Sequence, residues 1–158
     1  MSGIAPNIFG GDHTMSRGMV ASVIFRMSGI VNYPYRYVFW DVANHYYGSA
    51  ITWGHDEKIF NGNPDGSFHP DEDITREQLI VMLRNYANYL NIDTSSDQSL
   101  NEFIDHDQIN DYALSAMKWA VEQNLISGTA NKALNPNQAA TRPEAAKILV
   151  QIYRMIKK

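Results

Sequence analysis

At 158 residues, with 44% hydrophobic content and a formal net charge of −4, the chain is long enough to bury a continuous core. It has no basic run beyond Lys157-Lys158, which argues against nucleic acid or an anionic membrane as a partner. No apolar run approaches the roughly 18 residues that cross a bilayer, so no membrane insertion is expected. Residues 1–19 lack the basic segment and apolar core of a secretory signal, so an export signal, if the protein is exported, lies outside this sequence. There is no cysteine, which removes disulfides and thiolate metal sites and leaves the redox compartment open.

The sequence repeats itself. A shift of 66 residues superposes Trp53 on Trp119, Gly62 on Gly128, Phe68 on Leu134, Pro70 on Pro136, Thr75 on Thr141 and Arg76 on Arg142. A shift of 59 lays Gly3 on Gly62, Phe9 on Phe68, Ser16 on Thr75 and Arg17 on Arg76. A period of this size signals units that share a core with their neighbours. Three segments follow: a partial one over 3–29, and two complete ones over 39–90 and 103–157, read together as a single module over 1–158.

In chain order, Ser16 precedes an amphipathic helix carrying Val20, Val23, Ile24 and Met27 on one face. A Tyr-rich connection over 29–38, expected to pack, leads to a shorter helix from near Asn44 to Lys58. Its stripe is Tyr46, Ala50, Ile51 and Gly54, with Trp53 beside it. Ile59-Phe60-Asn61-Gly62 closes that helix, the glycine suiting a left-handed or tight turn. A Gly/Pro loop with one inward anchor, Phe68, then reaches Thr75, which starts a second amphipathic helix bearing Leu79, Met82, Leu83 and Tyr86. The Ser/Asp-rich connection over 91–101 reads as unpacked surface. The third segment repeats the plan: a helix from near Asn110 to Asn124 with Tyr112, Ala116, Met117, Ala120 and Trp119; an anchor, Leu134; and a helix from Thr141 with Ala145, Ile148, Leu149 and Ile152. Ser16, Thr75 and Thr141 suit N-caps, and Gln78 and Glu144 complete capping boxes. Three equivalent apolar faces most simply bury one another, so the expected fold is all-α: a central three-helix bundle of approximate three-fold symmetry.

Phe39-Trp40-Asp41-Val42, Ala50-Ile51-Thr52-Trp53, Ile59-Phe60-Asn61-Gly62, Asp65-Gly66-Ser67-Phe68-His69-Pro70 and Ile74-Thr75-Arg76-Glu77-Gln78 resemble one S-layer homology repeat from end to end. Phe103-Ile104-Asp105, Ala116-Met117-Lys118-Trp119, Leu125-Ile126-Ser127-Gly128, Leu134-Asn135-Pro136 and Ala140-Thr141-Arg142-Pro143-Glu144 resemble a second, and residues 3–29 the later half of another. The resemblance implies a secreted, non-enzymatic module of a surface protein, extracellular and cell-wall associated. It also implies helix-loop prongs around the central bundle, with the grooves between prongs binding secondary cell-wall polysaccharide, often pyruvylated, through the arginine of a Thr-Arg-Ala-Glu motif. That role carries over to Arg76 and Arg142, and to Arg17 where Ser16 and Gly18-Met19 depart from the motif.

Physically, an arginine beside free N–H groups at a helix start makes a local anion site on an acidic protein. Its planar fork suits a carboxylate. The expected glycan-binding set is Arg76, Arg142, Arg17, Thr75, Thr141, Trp53, Trp119, Gly62 and Gly128. Trp40, Trp53, Trp119 and Tyr47 are the candidate flat faces for a sugar ring. The competing reading makes the tryptophans core, the glycines turn residues and the arginines salt-bridge partners of Asp41 or Asp105, in a structural or oligomerisation module without glycan binding. Asn61 to Glu72 has oxygen ligands at calcium-loop spacing, but Pro70 sits where the exiting helix should begin and the loop over 128–139 has no carboxylate, so no metal or other cofactor is expected. The five histidines show no metal-ligand spacing and no nucleophile motif is present. Because the first segment lacks an opening helix in this sequence, its apolar positions fall to residues 29–40, a second copy or an upstream segment. Exposed apolar surface near Ile24 and Ile30, or a homodimer, is expected.

Overall fold

A computed structural model describes residues 13–156; the readings placed on Gly3, Phe9 and Lys157-Lys158 lie outside them. Five helices, α1 (Arg17–Met27), α2 (Gly48–Asp56), α3 (Arg76–Tyr89), α4 (Asp111–Glu122) and α5 (Arg142–Ile156), are joined by loops with 3-10 turns at Trp40–Val42 and His106–Gln108. Among the described residues only isolated bridges occur and no strand forms, so the fold is all-α as expected.

The long helices α1, α3 and α5 begin where a hydroxyl caps the first turn. Ser16 Oγ accepts from the Met19 N–H. Thr75 and Gln78 exchange both bonds of a capping box. Thr141 differs: its N–H and hydroxyl both donate to Glu144 at 2.9 Å. Each cap contributes about 1 kcal/mol. The inward faces then bury Val20 and Ile24, Leu79 and Leu83, and Ile148, Leu149 and Ile152, at about 1.5–3 kcal/mol per side chain.

The three helix starts are tied into a ring. The Met15 N–H donates to the Ala140 carbonyl, Ile74 to Met15, and Ala140 to Ile74, at 2.8–3.0 Å. Outside that ring runs a second one: Arg17 N–H to Glu72, Arg76 to Gln138, and Arg142 to His13, all at 2.9 Å. Under the two sequence shifts these are the same bonds made three times. The approximate three-fold relation thus rests on backbone groups, which would otherwise be unsatisfied at buried helix starts.

The shorter helices pack on their predecessors, α2 on α1 and α4 on α3. α4 is anchored by Glu77, which is buried and accepts from the Asn110 N–H (3.1 Å), the Asn110 amide (2.5 Å) and the Tyr112 hydroxyl (2.8 Å). A carboxylate is favoured at that helix start. At the matching position before α2 the residue is Gly18, and a Cβ there would lie 2.3 Å from the Tyr47 ring. With no such anchor and with Asn44 left-handed (φ 56°), α2 starts at Gly48, four residues later than expected.

Each of the two described prong loops is clamped by an aspartate. Asp41 accepts from the Phe68 and His69 N–H groups at 2.8 and 2.7 Å; Asp105 accepts from Leu134 and Asn135 at the same distances. These carboxylates therefore hold loop backbone, and the hydrogen bonds of the Arg17 and Arg76 side chains go to Phe68, Leu134 and Glu144 instead. The connection over 29–38 packs through Tyr33 and Arg36, both bonded to Asp56. The second connection also packs, against expectation, because Ile92, Thr94 and Leu100 at its two ends turn inward. Ile24 is fully buried and Ile30 partly so. Exposed apolar side chains do occur beside Ile30, where Val31 is 86% and Tyr46 82% exposed, and others, Val150 and Tyr153, lie on α5.

Candidate functional site

The three repeat arginines start equivalent helices yet sit in different surroundings. Arg17 is only 8% exposed. Its Nε donates to the Phe68 carbonyl at 2.8 Å and its guanidinium lies 4.8 Å over the Phe68 ring. Burial pushes its pKa down, against nearby Tyr112, Glu72 and Asp41. The expectation that Arg17 offers its guanidinium to solvent is therefore corrected: the side chain is spent on packing one repeat to the next.

Arg76 makes the matching bond, Nε to the Leu134 carbonyl at 2.9 Å, and its Nη1 donates to Glu144 Oε1 at 2.8 Å. Its side chain is 16% exposed. The partner in that ion pair is thus Glu144, the capping residue of the next repeat, where sequence suggested Asp41 or Asp105. Arg142 is half-buried, and its N–H closes the outer ring at His13.

A furrow of about 150 Å³ opens beside Arg76, lined also by Leu125, Ile126, Ser127, Glu144, Lys147 and Ile148. Leu125 and Ile126 form an apolar floor, while Ser127 and Lys147 are exposed. The furrow therefore offers two cations, one hydroxyl and one carboxylate over an apolar base. Burial acts to raise the Glu144 pKa, but the Thr141 N–H and hydroxyl and the Arg76 charge outweigh it and hold the carboxyl below the ordinary glutamate value. Such a site can take an anion at Arg76 and Lys147 if Glu144 yields part of its hold.

Register decides which corners share this chemistry. The positions of Glu144 and Lys147 are Gln78 and Val81 at the Arg17 corner, and Met19 and Ser22 at the Arg142 corner. Of the three corners, the one at Arg76 adds a second cation. Lys147 and Ser127 were not singled out by sequence. The signal was there in Lys147, one turn after Glu144 on the same helix face.

The remaining expected residues serve the scaffold. Trp53 and Trp119 are 0% exposed. Trp53 is ringed by Phe25, Phe60, Tyr86 and Tyr89 at 5.4–6.4 Å. Neither indole presents a face to a sugar, which corrects that assignment in favour of core packing. Trp40 is exposed on the prong turn, and Tyr47 is partly buried against Gly18. Gly62 and Gly128 are close-approach glycines: a Cβ would meet the Phe39 ring at 2.1 Å or the Phe103 ring at 2.8 Å. Thr75 and Thr141 spend their hydroxyls on capping. In the loop read as a calcium candidate, Asp65 folds back to accept from the Ser67 N–H and hydroxyl.

The S-layer homology domain profile matches residues 38–80 and 105–146, more than half of the chain. An endoglucanase of Bacillus sp. (strain KSM-635) is 26% identical over 94% of this chain and 16% of its own length. An amylopullulanase of Thermoanaerobacterium thermosulfurigenes is 27% identical over 92% of this chain and 8% of its own. Cell surface glycoprotein 1 of Acetivibrio thermocellus is 31% identical over 66% of this chain and 4% of its own. The chain thus spans less than a fifth of each relative. Two complete repeats with the same ring bonds and the same aspartate clamps, matched by one profile, place this chain in the S-layer homology domain family.

Proposed function

We propose that this chain is a non-covalent anchoring module, extracellular and associated with the bacterial cell wall, that attaches a larger protein to an anionic, pyruvylated type of secondary polysaccharide. It carries no chemistry of its own. The observation that carries this reading is the furrow at Arg76, where Lys147 and Ser127 face solvent beside the guanidinium over an apolar floor. A ligand carboxylate can bridge Arg76 and Lys147 while the sugar ring lies on Leu125 and Ile126, each charge-assisted bond contributing about 1.5–3 kcal/mol. Support also comes from the relatives: one segment recurring on an endoglucanase, an amylopullulanase and a cell surface glycoprotein is shared independently of the rest of each protein. The function is placed at Arg76 first and Arg142 second, with Arg17 structural.

A structural module without glycan binding is the competing reading, favoured by the cross-repeat bonds of Arg17 and Arg76. Removing those arginines lowers stability under both readings, so the deciding variant is Lys147→Glu, which leaves these bonds in place. Co-sedimentation with purified sacculi, with and without their secondary polymer, is the test. Retention that needs the polymer and falls about tenfold or more in Lys147→Glu at unchanged melting temperature is expected. Equal retention on both kinds of sacculi would leave the structural reading standing.

A further inference from the structure

A pocket of about 500 Å³ lies between α1 and the start of α2, where Ser22, Phe25, Arg26, Tyr46, Tyr47 and Ser49 meet. Its side chains are particular to this place in the molecule. One repeat on, Ser22, Arg26 and Tyr47 are matched by Val81, Asn85 and Ala113.

One substitution explains how the pocket is built. Tyr112, the match of Tyr46, donates its hydroxyl to Glu77 at 2.8 Å. The match of Glu77 is Gly18, so Tyr46 lacks that anchor and stands 82% exposed. Gly18 leaves room instead for the Tyr47 ring, which a Cβ there would overlap at 2.3 Å. Tyr47 in turn braces Tyr46 edge to face, with ring centroids 5.0 Å apart at 79°. A solvent-facing ring held in this way loses little conformational freedom when a ligand lies on it.

The chemistry around that ring selects the ligand. Arg26 is exposed, and Ser22 and Ser49 bring two hydroxyls to the same pocket, whose described lining holds no carboxylate. Arg26 sits in the last turn of α1, where the helix dipole is negative. The Asp71 carboxylate, bonded to His45 beside Tyr47, offsets its charge further. The Arg76 furrow is the reverse case, with a helix start and Lys147 adding positive charge. The pocket therefore offers donors without a strong positive field. An apolar occupant would leave the guanidinium and hydroxyls unpaired, whereas a sugar ring has a flat C–H face for Tyr46 and hydroxyls for Arg26, Ser22 and Ser49. We propose that this pocket binds a neutral saccharide, with Tyr46 as the stacking face and Arg26 as the donor to its hydroxyls. It shares no lining residue with the Arg76 furrow, so the inference stands independently of the function placed there.

The test titrates the full chain with cellotriose, maltotriose and tri-N-acetylchitotriose, and with trigalacturonic acid as the charged control, following backbone amide signals by NMR. At least one neutral probe should give saturable shifts at Ser22, Tyr46 and Ser49 and leave Lys147 unmoved, and the charged control should bind there more weakly. Tyr46→Ala and Arg26→Gln should each weaken that binding about tenfold or more at unchanged melting temperature, while Tyr46→Phe keeps most of it. Absence of shifts with all three neutral probes would overturn the proposal. So would shifts confined to Lys147, binding indifferent to Tyr46→Ala, tighter binding of the charged control, or a dimer that dissociates in Tyr46→Ala and takes no sugar in either state.

Discussion

The Arg17 and Arg76 corners begin from one plan and end in different chemistry. Both arginines start a capped long helix, and both send Nε to the carbonyl of the neighbouring loop anchor, at 2.8 and 2.9 Å. At Arg17 the guanidinium then settles over Phe68, and the next helix face offers Gln78 and Val81. At Arg76 the facing helix offers Glu144 and Lys147, and a furrow stays open. The lesson is that the arginine has a structural task at both of these corners. On the proposed function, the residues three and six positions past the neighbouring threonine are what would make a corner a site.

The largest expected effect lies one residue on, where the second corner has Glu77 and the first has Gly18. Glu77→Ala leaves two Asn110 donors and the Tyr112 hydroxyl without their acceptor, and should cost about 2–4 kcal/mol by urea unfolding. Gly18→Ala should cost about 1–3 kcal/mol through overlap with Tyr47 and the Pro70 carbonyl. Next in size, Arg17→Ala should cost about 1–3 kcal/mol of stability with little change in retention on sacculi per folded molecule. Arg76→Ala should lose both. Equal loss of retention in the two variants would erase the distinction drawn between the corners.

Smaller effects sharpen it. Lys147→Glu should leave stability within about 0.5 kcal/mol while weakening glycan retention about tenfold or more. Glu144 supplies a pH test. Its folded pKa lies below its unfolded one, so its contribution to stability is present above the unfolded value and lost as pH falls through the folded one. Glu144→Gln should therefore flatten that part of the acid unfolding curve. It should also strengthen binding of an anionic ligand a few-fold, because the competing carboxylate is gone. Weaker binding in Glu144→Gln would mean that this side chain contacts the ligand itself.

Much of the architecture was legible in the sequence because the signals were periodic. Thr75 with Gln78, the apolar faces at helical spacing, and the paired shifts of 59 and 66 gave the helix starts, the bundle and its symmetry. Three things were not legible. Whether a tryptophan beside a stripe is core or surface depends on neighbours far along the chain, and for Trp53 these are Phe25, Tyr86 and Tyr89. Partner choice for Arg76 depended on which carboxylate the ring of helix starts brings across, and that was Glu144, 68 residues away. The connection over 91–101 looked polar by composition, yet Ile92 and Leu100 at its ends pin it to the core. Lys147 stands one turn after Glu144 on the same helix face, but only the corner that α5 meets, at Arg76, gives that spacing a meaning.

The central claim is tested most directly by adding a pyruvylated disaccharide to the folded chain while following the arginine side-chain N–H signals and the Lys147 amide by NMR. The expected result is a saturable shift at Arg76 and Lys147 with Arg17 unmoved. A shift at Arg17 without one at Arg76, or no shift at any of the three, would contradict the account.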